Sequence, residues 1–80
     1  MKIKVLFFGI TTDLTRETSV NLEIADRLTI KQLKLVLLNK YTKLTNLDEY
    51  AFAVNEEYAK ENQILQTNDV VAIIPPVSGG

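Results

Sequence analysis

Leu28-Thr29-Ile30-Lys31-Gln32-Leu33-Lys34-Leu35-Val36-Leu37-Leu38-Asn39-Lys40-Tyr41 decides the fold, because it carries the clearest helical start signal in the chain. Thr29 followed three residues later by Gln32 is a capping box, and Leu28 with Leu33 can staple the chain around it. The helix is expected from about Ile30 to Lys40. At 100° per residue Ile30, Leu33, Leu37, Tyr41 and Leu44 share one face, so the helix needs an apolar layer to lie on. Leu35 points away from that stripe, and periodicity does not explain it. Lys31, Lys34, Lys40 and Lys43 are expected to form a solvated flank.

Working outward, both sides of this helix read as strands. Upstream, Lys2 to Phe8 alternates lysines with Ile3, Val5 and Phe7, and Val20, Leu22 and Ile24 alternate with Asn21 and Glu23. Leu6 and Phe8 fall on the lysine face, so the far end of the first strand shows apolar groups outward. Gly9 ends that strand, and Asp13-Leu14-Thr15 is expected to make one helical turn in the polar connection. Downstream, Asn46–Glu49 is a polar turn, Tyr50–Val54 is a third strand, and Tyr58-Ala59 a short fourth. Ile64-Leu65 is expected to anchor the following loop inward. Asn68-Asp69 is a turn signal, Asn being tolerant of left-handed dihedrals. Val70–Ile74 is an unbroken apolar run, as expected of a central strand covered on both faces. The fold class is therefore α+β, with the β-grasp (ubiquitin-like) order: a mixed sheet of four to five strands with one main helix packed on one face. The domain is expected over residues 1–74, with 75–80 as an extended tail.

Composition narrows what such a domain can do. Eighty residues, 46% of them hydrophobic, make one domain that buries about two-thirds of its unfolded surface. There is no Cys and no His, which excludes a thiolate nucleophile, a disulfide and imidazole or thiolate metal sites. A net charge of −1 leaves no basic surplus for phosphates, so nucleic acid is not the expected partner. No apolar run reaches the ~20 residues of a membrane span, and no signal-peptide pattern precedes the first strand, so a cytoplasmic location without membrane attachment is expected. Glu56-Glu57 diverge on a turn and read as solvated surface.

The remaining candidate chemistry lies in Pro75-Pro76-Val77-Ser78-Gly79-Gly80. Paired prolines stop the strand and favour extended geometry, reaching about 20 Å over six residues. The tail carries no charged side chain, and Gly79-Gly80 has no Cβ to block a narrow channel. On composition alone a frayed terminus and a functional one stand side by side. The first leaves the carboxylate inert; the second makes it the reactive group of a chain that offers no other.

Lys4-Val5-Leu6-Phe7-Phe8, Ala53-Val54-Asn55, and Leu65…Asp69-Val70-Val71-Ala72-Ile73-Ile74-Pro75-Pro76-Val77-Ser78-Gly79-Gly80 together resemble the small, sulfur-carrier subunit of molybdopterin synthase, over the whole chain. The family usually reads Gly-Asp-Glu before the last strand. Here it is Asn68-Asp69-Val70, which removes an acid but keeps a residue suited to a left-handed position. The resemblance implies that the Gly80 carboxylate is adenylated by an activating enzyme using ATP, with no cofactor held stably by this chain. It is then converted to a thiocarboxylate, which donates sulfur to cyclic pyranopterin monophosphate within the large synthase subunit. The implied docking residues are Phe8, Tyr58 and Ile74, and the implied partners are that large subunit and the adenylating, sulfurating enzyme. On this reading the chain is not an enzyme on its own. A ubiquitin-like modifier, a thiamin-pathway-type sulfur carrier and a binding-only β-grasp domain are the alternatives.

Overall fold

Five strands and one long helix account for most of the computed structural model, which describes residues 1–76. In chain order they are β1 (Lys2–Phe7), α1 (Ile10–Thr15), β2 (Ser19–Glu23), α2 (Ile30–Lys40), a 3-10 turn (Leu47–Glu49), β3 (Ala51–Val54), β4 (Glu57–Tyr58) and β5 (Val70–Ile74). The sheet order is β2-β1-β5-β3-β4. Among the described residues only the β1–β5 pair is parallel; β1–β2, β3–β5 and β3–β4 are antiparallel. This is the expected mixed sheet, with the chain's last strand at its centre.

The helix starts where the capping box places it. Thr29 Oγ1 accepts from the Gln32 N–H, and the Gln32 side chain accepts from the Thr29 N–H. The next two donors are met from another loop: Ile30 N–H donates to the Gln63 carbonyl and Lys31 N–H to the Glu61 carbonyl, both at 3.0 Å. The helix N-terminus is thus tied to residues 61–63 by backbone bonds that no sequence pattern announces. Ile30, Leu33 and Leu37 are buried in one cluster with Val5, Phe7, Phe52, Val54, Val71 and Ile73. Three such side chains contribute roughly 1.5–3 kcal/mol each. The phenol of Tyr41 sits edge-on to Phe7, ring centroids 5.5 Å apart. Burial, and secondarily the Glu17 carboxylate, push its pKa above 10.0.

Several expectations need correction. The run Val70–Ile74 is not covered on both faces: Val71 and Ile73 are buried, while Val70, Ala72 and Ile74 are half-buried. A single long helix covers one side, and the described residues supply no second layer. The turn at Asp13-Leu14-Thr15 is a six-residue helix starting at Ile10. The second strand spans Ser19–Glu23 and the fourth Glu57–Tyr58, each displaced by one residue from its expected span. The turn at Asn46–Glu49 contains a buried Leu47. Of the pair Ile64-Leu65 in the loop that follows β4, Leu65 points inward and Ile64 is exposed. Lys34 is not solvated: its side chain is 12% exposed, with Nζ 3.3 Å from Asp48 and 3.2 Å from Glu61. It clamps α2 to two loops. Leu35 is 66% exposed, and nothing in the structure explains it.

The β3–β4 connection is a two-residue loop, Asn55-Glu56, with φ 51° and 73°. Both values are left-handed, as a type I′ hairpin requires. Asn55 suits that position and also bridges to β5, its Oδ1 accepting from Val70 N–H and its Nδ2 donating to Asp69. Glu56 gains nothing comparable. Replacing it by glycine relieves a left-handed cost of about 1–2 kcal/mol at an entropic cost of about 0.5–1 kcal/mol. Glu56→Gly is therefore expected to raise the urea midpoint modestly, and an unchanged or lowered midpoint would show that the turn is unstrained. Leu33→Ala is expected to destabilise by about 2–5 kcal/mol in the same assay.

Candidate functional site

The face of the sheet turned away from α2 is built by simple alternation. On β1 the outward residues are Lys2, Lys4 and Leu6, and Phe8 continues the series just past the strand. On β5 they are Val70, Ala72 and Ile74. The register joins them into rows. Leu6 pairs with Ala72, Ala72 with Ala53, and Ala53 with Tyr58, which makes one row across four strands. Ile74 pairs with Ala51, and Phe8 follows the Phe7–Ile73 pair, so Phe8 and Ile74 belong to the next row. Lys4 pairs with Val70 in the row on the other side.

The three expected docking residues therefore share one face. Phe8 is 48% exposed, Tyr58 77% exposed and Ile74 half-buried. Phe8 and Ile74 lie in neighbouring positions, whereas Tyr58 stands on the edge strand, two strand spacings from Ile74 and three from Phe8, the latter roughly 14 Å at ~4.8 Å per strand. Between them the centre of the face is small: Ala51, Ala53 and Ala72. A shallow hollow of about 470 Å³ is lined by Leu6, Phe8, Asn55, Glu56, Val70 and Ala72. Four of these six are apolar, and Asn55 and Glu56 supply the hollow's polar part.

The tail leaves beside this face. Pro75 follows β5 directly and is half-buried, and a Cβ placed on Gly9 would meet Pro75 Cγ at 3.3 Å. Gly9 holds φ 55° and ψ −129°, a conformation that favours glycine. Sequence reasoning reads Gly9 only as the end of a strand and misses its part in seating Pro75. It also misses the outward roles of Val70 and Ala72, because an unbroken apolar run has no alternation to read. Of the expected tail residues, Pro75 and Pro76 are described; Val77, Ser78, Gly79 and Gly80 lie outside the described residues.

Among the described residues, no three of the His, Cys, Asp and Glu side chains group closely enough to hold a metal ion. No helix among them is long and apolar enough to cross a membrane. What the described site offers is a surface and a strand end leading into the tail.

A family model, the ThiS family, matches residues 5–80. The chain belongs to the ThiS family. The match runs through the Gly-Gly ending as well as the sheet. Among curated proteins, this ThiS-family chain is 35% identical over 81 residues to the molybdopterin synthase sulfur carrier subunit of Arabidopsis thaliana, covering 100% of this chain and 84% of that protein. Among solved structures, it is similar to a chain in the complex of subunits 1 and 2 of molybdopterin-converting factor from Helicobacter pylori. The identity is 28%, the TM-score 0.72, and 100% of each chain is covered. SAMP1 from Haloferax volcanii superposes with a TM-score of 0.89 over 100% of both chains at 19% identity, a likeness of fold.

Gly9→Ala is expected to destabilise the protein by about 1–3 kcal/mol through backbone strain at a position that favours glycine. Urea denaturation measures it, and a wild-type midpoint would show that the corner tolerates a side chain.

Proposed function

We propose that this chain is the sulfur-carrier subunit of a molybdopterin synthase, acting in the cytoplasm. The observation that carries the reading is the full-length similarity to a curated sulfur carrier subunit of that synthase, which includes the Gly-Gly ending. The geometry supports it: the tail departs from the central strand at the margin of an open, largely apolar face.

The chemistry begins at the Gly80 carboxylate. Its oxygen attacks the α-phosphorus of ATP in the active site of a separate adenylating enzyme, and pyrophosphate leaves. Hydrosulfide then attacks the acyl carbon and AMP leaves, which yields a terminal thiocarboxylate. That sulfur, ionised near neutral pH, is a better nucleophile than the carboxylate oxygen it replaces. Within the large subunit that sulfur attacks cyclic pyranopterin monophosphate and water releases the acyl carbon as the Gly80 carboxylate, so each thiocarboxylated chain supplies one of the two sulfurs of the dithiolene. Side chains that move protons and bind the pterin belong to the large subunit in this scheme, and this chain alone is not an enzyme. ATP is consumed by the activating enzyme and is not a resident cofactor here. Phe8, Ile74 and Tyr58 form the surface that docks on the large subunit, and Pro75, Pro76, Val77, Ser78 and Gly79 carry Gly80 into its active site.

Intact mass measured after incubation with ATP, sulfide and the adenylating enzyme is expected to show one sulfur-for-oxygen exchange, localised to Gly80. No exchange under conditions that convert a control carrier would overturn the reading, and isopeptide adducts on other proteins would redirect it to a modifier. Deletion of Gly80 is expected to leave the fold intact and abolish sulfur transfer; normal turnover would refute the tail chemistry. Phe8→Ala is expected to weaken the complex with the large subunit by about 1–3 kcal/mol, read by calorimetric titration.

A further inference from the structure

Phe8 stands just outside β1, where no ladder partner holds it by default, yet both polar groups of its backbone are engaged by one side chain. The Phe8 N–H donates to Thr11 Oγ1 at 2.9 Å, and the Thr11 hydroxyl donates to the Phe8 carbonyl at 2.6 Å. The Thr11 N–H reaches the same carbonyl at 3.1 Å. A hydroxyl is the smallest side-chain group that can accept and donate at once, and here it does both within one residue's backbone. Thr11 is completely buried, so its hydroxyl has no water to bond to in place of the Phe8 backbone.

The residue is itself held in place. Thr15 Oγ1 donates to the Thr11 carbonyl at 2.8 Å. Next to Phe8, the Phe7 N–H donates to the Thr18 carbonyl at 2.9 Å, and the Thr12 N–H donates to the Gly9 carbonyl at 3.1 Å. A six-residue helix such as α1 has little stability of its own, and its buried side chains are Thr11 and Thr15. Leu14 is the helix's apolar contact with the core and is only partly buried, while its two buried residues are hydroxyls aimed back at the chain. Such a helix is well suited to fixing the backbone in front of it.

We infer that Thr11 is a positioning residue for partner docking: by locking the Phe8 backbone it presents the Phe8 ring to the large subunit in its bound orientation. The inference rests on the proposed docking role of Phe8. Pre-ordering an exposed side chain removes part of the cost of immobilising it at an interface. Thr11 touches no partner in this scheme and acts only through Phe8.

The test is a double-mutant cycle on the full chain, with calorimetric titration of the large synthase subunit and urea unfolding of each variant. Thr11→Val keeps the shape and removes both hydroxyl bonds. It is expected to weaken the complex about threefold to tenfold, the scale of one side chain's ordering cost. Thr11→Ser, which keeps the hydroxyl, is expected to restore affinity even where it lowers stability. In a Phe8→Ala background, Thr11→Val is expected to cost no further affinity. Wild-type affinity in Thr11→Val, an equal loss in Thr11→Ser, or the same loss without Phe8 would each overturn the inference. Should Thr11→Val fail to fold, Thr11→Ala removes the same bonds without adding a methyl group and is read in the same cycle. Unchanged affinity of Phe8→Ala itself would instead overturn the docking reading.

Discussion

A single amphipathic helix with one apolar stripe can cover one face of one sheet, and that limit shapes the whole molecule. Ile30, Leu33 and Leu37 go to the inner face of the sheet, where they meet Val5, Phe7, Phe52, Val54, Val71 and Ile73. The opposite face receives no second layer among the described residues. Its treatment is uneven. Lys2 and Lys4 solvate one end, alanines keep the centre low, and Leu6, Phe8, Ile74 and Tyr58 leave the remainder apolar. A sheet built only for stability would have polar residues along the whole of that face. The apolar part lies at the end from which the tail departs, so surface and tail can engage one partner together.

The sheet order gives the tail a firm base. β5 is hydrogen-bonded on both sides, parallel to β1 and antiparallel to β3. Pro75 follows without an intervening loop and rests against Gly9. Gly9 in turn sits between Phe8 and α1, so the proposed docking residue Phe8 and the start of the tail belong to one corner of the molecule. Little slack separates them, so the position of Phe8 fixes where the tail begins.

Legibility in the sequence follows the strength of the local signal. The helix start comes directly from the capping box at Thr29 and Gln32, and Asn68 adopts the left-handed φ of 69° that its residue type favours. Alternation alone marks Leu6 and Phe8 as outward. It fails for Val70, Ala72 and Ile74, because apolar residues on both faces look alike whether the second face meets a helix or a partner. Lys34 reads as solvent-facing because its two carboxylate partners are 14 and 27 positions away. Gly9 and Thr11 are silent for a related reason. Their roles lie in a dihedral angle and in backbone bonds, which leave no periodic trace.

The parallel pairing of Lys4 with Val70 joins the opening strand to the last one across nearly the whole chain. Contacts of such long range cannot form until everything between them has been synthesised and released. Until β5 inserts, β1 and β3 have no common neighbour, the open face does not exist, and Pro75 has nothing to rest on. A copy in which β5 has not inserted therefore lacks both the continuous outer face and the seat of Pro75 against Gly9.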